Sequence, residues 1–446
     1  MSHTMMPAMK ASAFSKTEYL KSYDEGASSE RNVVVLPTQA FAGQSSGGSQ
    51  LPSKLTLQYN APSGRAFVDL SKSLIRMRMQ FASDNAFTVS LNSAVAAENN
   101  AIARFGALNM FEKATLRVAN REIENVSDVP QAGSLLYQAT KTDAWFSTAG
   151  SLVWAQQIDD DRSVAQDGVA APRVYDVWFK PPISLFHESK LIRSGGAVFE
   201  VTLDRRSDWA QTMMVNLETP KVASVADADF FVKVLDAQWD VVELYPEEDV
   251  PMQMMDVADA SQLRIIRANL DAATTITREV VIPPAAFKFL GGYQTSTQAT
   301  DGTSQLADFV PLDASTFRVE WSGQQIPSTP YDLDFTGGPV SRPFLDFLKA
   351  VGMLDGPMAG AGASVDQETW SSTSTIYGFP LIARKGGKST NLRVRATFNA
   401  AAGAGDQLII GIASPLRVFL SYDDSGRMTS VDVAESEADA TDILSG

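Results

Sequence analysis

Cysteine is absent from the 446-residue chain, and histidine occurs only at His3 and His187. The first absence excludes disulfides, thiolate metal sites and cysteine nucleophiles, while leaving the compartment open, because a chain without disulfides is compatible with any of them. The scarcity of imidazole thins the field of acid–base and metal chemistry. No run of eighteen apolar residues occurs, so no transmembrane helix is expected. The opening MSHTMMPAMKASAFSKTEYL lacks the continuous apolar region of a secretory signal. Positive charge is also short: 37 Lys and Arg stand against 52 Asp and Glu, a formal net charge of −15 and a sequence pI near 4.7. Gripping phosphate needs the reverse balance, so direct sequence-specific binding of nucleic acid is not expected.

What is present is the composition of a folded protein, with 44% hydrophobic and 20% charged residues. The length exceeds one ordinary core and suits two large β units. In LIRMRMQF, Ile75, Met77, Met79 and Phe81 alternate with Arg76, Arg78 and Gln80, and in NLRVRATF, Leu392, Val394, Ala396 and Phe398 alternate with Arg393, Arg395 and Thr397. Period two is the signature of a strand with one wet face. The same alternation runs through Phe199–Asp204, Trp239–Val241 and Phe317–Trp321, separated by Gly, Pro, Asp and Ser clusters, which favours antiparallel sheets. The clearest helix is SRPFLDFLKAVGM, with Phe344, Phe347, Leu348 and Val351 on one face behind a Ser341 cap.

The expected organisation is an N-terminal arm over 1–32, a first β-sandwich over 33–248, a linker over 249–261, a second sandwich over 262–432 and a tail over 433–446. The linker is read from the rise in polarity across YPEEDVPMQMMDVADASQ. Lys10, Lys16 and Lys21 with Met9, Phe14 and Tyr19 suit an arm that orders against a partner. The polar stretches Phe146 to Pro172 and Leu354 to Ser374 are expected to be exterior loops.

Motifs that could carry chemistry fail on context. Gly43-Gln44-Ser45-Ser46-Gly47 matches G-x-S-x-G but sits in a Ser/Gly loop without the strand, helix and histidine a nucleophile elbow needs. Gly387-Lys388-Ser389 ends like a phosphate-binding loop, yet Ile382 stands where its first glycine belongs. Asp159-Asp160-Asp161 lacks the glycine and terminal glutamate of a calcium loop. Glu247 with Glu248, and Asp423 with Asp424, are adjacent and on a strand face opposite ways. His187, in ISLFHESKL, reads as a packed or edge histidine. No catalytic, cofactor-binding or metal site is expected, and no cofactor.

Several stretches in order resemble the double jelly-roll major capsid proteins of icosahedral double-stranded DNA viruses, in particular those of polinton-like viruses and virophages. They are RAFVDLSKSLIRMRMQF, ISLFHESKLIRSGGAVFEVTLDRR, FRVEWSGQQIPSTPYDLDF and GFPLIARKGGKSTNLRVRATFNAAAGAGDQLIIGIASPLRVFLSYDDSG, which together span about residues 65 to 430. Trp321-Ser322-Gly323 departs from the family in lacking an asparagine, and the Ala/Gly-rich stretch at Ala400 to Gly405 is unusual for it. The resemblance implies an all-β chain of two consecutive jelly rolls with a few short helices. It also implies a non-enzymatic shell protein of the virion, made in the host cell and forming homotrimeric pseudo-hexagonal capsomers. Its partners would be neighbouring capsomers, penton and other minor capsid proteins, with an internal membrane left open. The competing expectations are a carbohydrate-binding or carbohydrate-active jelly-roll protein, because fold does not fix function, and a receptor-binding fibre protein, which would show repeats along its length.

Overall fold

The computed structural model describes residues 28–38, 51–64, 66–82, 100–147, 149–153, 174–188, 190–209, 211–216, 231–246, 254–283, 285–296, 306–321, 323–336, 340–354, 365–381 and 390–435. The first half contributes strands β1 (Ser28–Val35), β2 (Lys54–Asn60), β3 (Phe67–Ala82), β4 (Asn100–Ile102), β5 (Phe111–Val118), β6 (Arg121–Ser127), β7 (Val174–Phe179), β8 (Leu191–Arg193), β9 (Val198–Arg205), β10 (Met214–Asn216) and β11 (Phe231–Pro246). The second half contributes β12 (Met255–Asn269), β13 (Thr275–Ile282), β14 (Lys288–Gln294), β15 (Ala314–Trp321), β16 (Gln324–Ile326), β17 (Tyr377–Pro380), β18 (Thr390–Phe398), β19 (Gln407–Tyr422) and β20 (Met428–Ala434).

Two antiparallel sheets form in each half, in orders β1-β11-β3-β7 and β2-β9-β5-β6, then β12-β19-β14-β17 and β13-β18-β15-β16. Setting aside the short β4–β10 ribbon and the side strands β8 and β20, each half has eight strands among the described residues. In both halves the sheet orders are first-eighth-third-sixth and second-seventh-fourth-fifth. Two interleaved four-stranded sheets of this order are a jelly roll, so the chain carries the same jelly roll twice.

The alternation seen in the sequence decides which side of each sheet is dry. Ile75, Met77 and Met79 of β3 are fully buried, with Arg76 and Arg78 between them partly exposed. Leu392 and Val394 of β18 are buried, and Arg393 and Arg395 face outward. The two similar stretches nevertheless occupy different places: LIRMRMQF lies in the third strand of its roll, NLRVRATF in the seventh strand of the other. Their likeness reflects a shared demand for one dry face rather than equivalent positions. β19 instead reads QLIIGIASPLRVF and is buried on both faces from Leu408 to Ser414, because a second body covers its outside. Trp239 centres the first core, edge-on to Tyr59, and in the second Phe317 stacks on Tyr377 at 3.9 Å.

Several expected boundaries differ from those observed. Ser28 to Arg31, read as part of the arm, pair in register with Pro246 to Glu243 and so belong to β1. β12 opens at Met255, inside the stretch read as linker, because its alternating Asp256, Ala258 and Ala260 pack inward. Ser341 is not a cap: Val340 precedes the Ser341–Ala350 helix, whose apolar face does hold the buried Phe347 and Val351. The stretch from Leu354 to Ser374 is not wholly a surface loop, since Val365, Trp370 and Ser374 are buried; likewise Phe146 is 6% exposed. The rest of the two expected loops, at 154–173 and 355–364, and the arm at 1–27 lie outside the described residues.

Candidate functional site and the seam between the two sandwiches

Among the described residues, no group of three or more His, Asp or Glu is placed to hold a metal ion, and no helix is long and apolar enough to cross a membrane. Ser45, Asp159 to Asp161, Glu247, Glu248, Lys388 and Ser389 lie outside the described residues. Asp423 sits in the β19–β20 turn, where its Oδ1 accepts from the backbone N–H groups of Ser425 and Arg427 and from the Ser425 hydroxyl. Those bonds favour its ionised form and hold its pKa low. It is a turn-former. His187 is packed: its ring meets Tyr137 edge-on at 5.2 Å, and Nε2 lies 3.0 Å from the Pro181 carbonyl. Burial, with Lys141 and Lys180 nearby, pulls its pKa down to about 3.

Among the described residues, buried polar side chains gather where the first sandwich meets the second. The Val129–Thr140 helix, in the connection from β6 to β7, is buried along ten of its residues because it lies between the two bodies. Its Leu135 reaches Gly411 of β19, Gln131 donates to Gln294 at 3.1 Å, and Ser134 donates to the Ala307 carbonyl. Asp128 just before the helix pairs with Arg267 of β12 at 2.5 Å.

Among the described residues, two buried ion pairs cross the same seam. Arg193 lies 3.8 Å from Asp256, with its guanidinium over the rings of Phe67 and Tyr422. Burial raises the Asp256 pKa and Arg193 opposes the rise. The Tyr422 hydroxyl donates to the Arg193 carbonyl, and Gly195 at φ +51° accepts the Met428 N–H at 2.9 Å. A Cβ at Gly195 would stand 2.7 Å from that nitrogen, so only glycine permits the contact. At the second pair, Arg104 lies 3.9 Å from Asp308 and donates to Ser374 at 3.3 Å. Burial lowers the Arg104 pKa, with Asp308 opposing. Such pairs contribute little net stability, yet removing one member costs more than the pair contributes, so they favour one relative placement of the two bodies.

Beside this seam lies a polar cleft of about 890 Å³ lined by Arg117, Arg121, Glu122, Glu200, Arg264 and Glu435, among others. Two of these arginines are engaged: Arg117 pairs with Glu122 and Glu200, and Arg264 with Glu435. At its wall Glu124 is 4% exposed and accepts from the Ser184 N–H at 2.8 Å and from the Ser184 hydroxyl. Desolvation pushes its pKa up to about 7.

The outer faces of the sheets carry charge ladders. On β3, Arg76 pairs with Asp176 and lies over the Trp178 ring, and Arg78 reaches Asp176 and Asp236. On β18, Arg393 pairs with Glu279 and Glu320, and Arg395 with Glu320. Cross-strand pairs of this kind satisfy the wet face of a sheet without committing it to catalysis.

Sequence reasoning missed the seam. Arg104, Arg193, Asp256 and Asp308 carry no local mark that separates them from surface charges, and the Val129–Thr140 helix shows no clean apolar stripe because both its sides are covered.

No protein-family model matches the chain, and no curated protein matches it. Solved structures do. The mavirus major capsid protein is similar over 93% of this chain and 92% of its own, at 10% identity and a TM-score of 0.55. A chain of the Sputnik virophage is similar over 93% and 90%, at 10% identity and 0.56. A chain of the PBCV-1 virus capsid is similar over 92% and 97%, at 8% identity and 0.54. Near-complete coverage in both directions, joined to the duplicated strand order, establishes that this chain has a double jelly-roll fold.

Proposed function

We propose that the chain is the major capsid protein of an icosahedral double-stranded DNA virus, and that three copies join into a pseudo-hexagonal capsomer. The observation that carries this reading is the duplication itself: one chain supplies two jelly rolls of identical strand order, fixed to each other by a buried seam. Three such chains in a ring present six similar bodies, which a single-roll protein needs six copies to achieve. The similarity to capsid chains over their whole length supports it further.

In this reading the chain has no catalytic role and resides in the virion shell. Its partners are neighbouring capsomers together with penton and other minor capsid proteins. The test is the mass of the purified protein at low micromolar concentration, combined with negative-stain images. A stable trimer with a hexagonal outline is expected. A strict monomer overturns the proposal and moves the reading to a carbohydrate-binding jelly roll.

A further inference from the structure

β12, the first strand of the second roll, stands at the end of its sheet order. On such a strand every second N–H points away from the partner strand and needs an acceptor from elsewhere. Ser261 is one of these positions. It lies opposite Pro415 of β19, which has no N–H to exchange with it, and its own N–H donates to the Glu188 carboxylate at 2.6 Å. Glu188 belongs to the first roll, so this hydrogen bond crosses the seam.

Glu188 comes from a short segment that touches three parts of the seam. The segment opens with the helical turn Ser184–Phe186, where Ser184 holds the Glu124 carboxylate of β6 through its N–H and its hydroxyl. His187 packs edge-on against Tyr137 of the Val129–Thr140 helix, and Glu188 reaches β12. Two carboxylates therefore share one segment, and the charge of Glu188 is among the causes that raise the pKa of Glu124.

The two are not held equally. Glu124 is 4% exposed and receives two hydrogen bonds from Ser184, while its Oε1 receives none among the described residues. Glu188 is half-buried. Burial raises its pKa as well; Ser261 and Lys190 oppose the rise, and Asp259 of β12 adds to it. The other charged groups around Glu124 are Arg117 of β5, Arg121 and Glu122 of β6, Glu200 of β9, Arg264 of β12 and Glu435 after β20.

We propose that this segment is a pH-sensitive latch between the two rolls: a proton on Glu124 lets Glu188 hold the Ser261 N–H, and release of that proton drives Glu188 off the edge of β12. Repulsion between two carboxylates is relieved by the less firmly held one, which is Glu188, because it can turn towards water. Burial places the Glu124 pKa at about 7, so the latch is closed in mild acid and opens as the pH rises past neutrality. The Ser261 N–H then passes to solvent while the ladder between β12 and β19 stays intact. A latch of this kind works in a single chain and in an assembly alike, and does not depend on the capsid reading.

Hydrogen–deuterium exchange of the full chain tests this, read at single amides by fragmentation and with labelling times scaled to the intrinsic rate at each pH. Protection of the Ser261 amide is expected to fall about threefold between pH 6 and pH 8, the size of roughly half a pKa unit of coupling. The neighbouring Gln262 amide, which alternation turns towards β19, should keep its protection. Glu124→Gln and Glu188→Gln each keep an oxygen for the bond they accept and remove the repulsion, so in both the Ser261 amide should be equally protected at the two pH values. Lys180, whose pKa burial pulls down to about 8, titrates over part of the same range, and the two variants separate it from Glu124. A fall that persists in them overturns the latch. An unchanged Ser261 amide in the wild type overturns it too, as does a parallel fall at Gln262, which would mean that the whole strand loosens.

Discussion

Leu135, on the helix of the first roll, lies so close over Gly411 of the second that a Cβ on the glycine would stand 2.9 Å from the leucine Cδ1. Leu263 and the Leu290 carbonyl crowd the same point at 3.2 and 3.4 Å. The contact joins the two bodies by shape, and it predicts coupled mutational effects. Leu135→Ala should cost about 2–5 kcal/mol by leaving a cavity in a fully buried place. Gly411→Val should cost about 1–3 kcal/mol by overpacking. Combined, the two should cost less than their sum, because the valine enters space the leucine has vacated. A double-mutant cycle by urea unfolding reads this directly, and strict additivity would show that the two residues do not share that space.

Arg193 and Asp256 predict a second asymmetry. Asp256→Ala removes the carboxylate beside a guanidinium that is 4% exposed, and a loss of up to about 3–5 kcal/mol is expected. Replacing both, Arg193→Met with Asp256→Leu, removes both desolvation costs and should be far milder than the single change. Thermal or denaturant unfolding of the three variants checks the ranking. A single change as mild as the double would mean that the pair is not effectively buried.

Much of the fold was legible because strand periodicity is a local property. Ile75 to Phe81 and Leu392 to Phe398 announce a dry face whatever lies opposite, and Phe344, Phe347 and Val351 announce a helix by their spacing alone. The surfaces that matter for assembly were not legible in the same way. Val129–Thr140 is enclosed on both sides, so its burial follows the neighbouring body rather than a helical period. Arg104 meets Ser374 across 270 positions, and no pattern in either segment signals the other. The expected linker failed for a related reason: Asp256 is acidic and looks like loop, but it is buried beside a cation supplied by the other roll.

His187 gives a prediction in pH. Its pKa falls from 6.5 to about 3, first through burial and then through Lys141 and Lys180. A depressed histidine is neutral in the folded chain, while the unfolded chain takes up a proton below pH 6.5. Its contribution to stability is therefore complete above about pH 6.5 and is lost as the pH falls towards 3. With only two histidines in the chain, the imidazole resonances are easily assigned. Those of His187 should not move between pH 8 and 5, and a titration midpoint near 6.5 would contradict the packed ring seen here.

Glu124 predicts the opposite slope. Its pKa rises from 4.5 to about 7, chiefly by burial, with Glu188 adding to the rise and the two hydrogen bonds from Ser184 opposing it. Below pH 4.5 both folded and unfolded chains hold the proton and nothing is lost. Between 4.5 and 7 the unfolded chain has released a proton that the folded chain keeps, so stability declines as pH increases, levelling off above about 7. The full effect has an upper bound of about 3 kcal/mol from the size of the shift. Glu124→Gln retains an oxygen for the Ser184 N–H and carries no charge, so it should gain on the wild type as the pH is raised. The measurement is the difference in thermal midpoint between variant and wild type at pH 5 and at pH 8. It should be clearly larger at pH 8. An equal difference at both values would show that Glu124 ionises in the folded chain as it does in water, and that its wall of the cleft is wet.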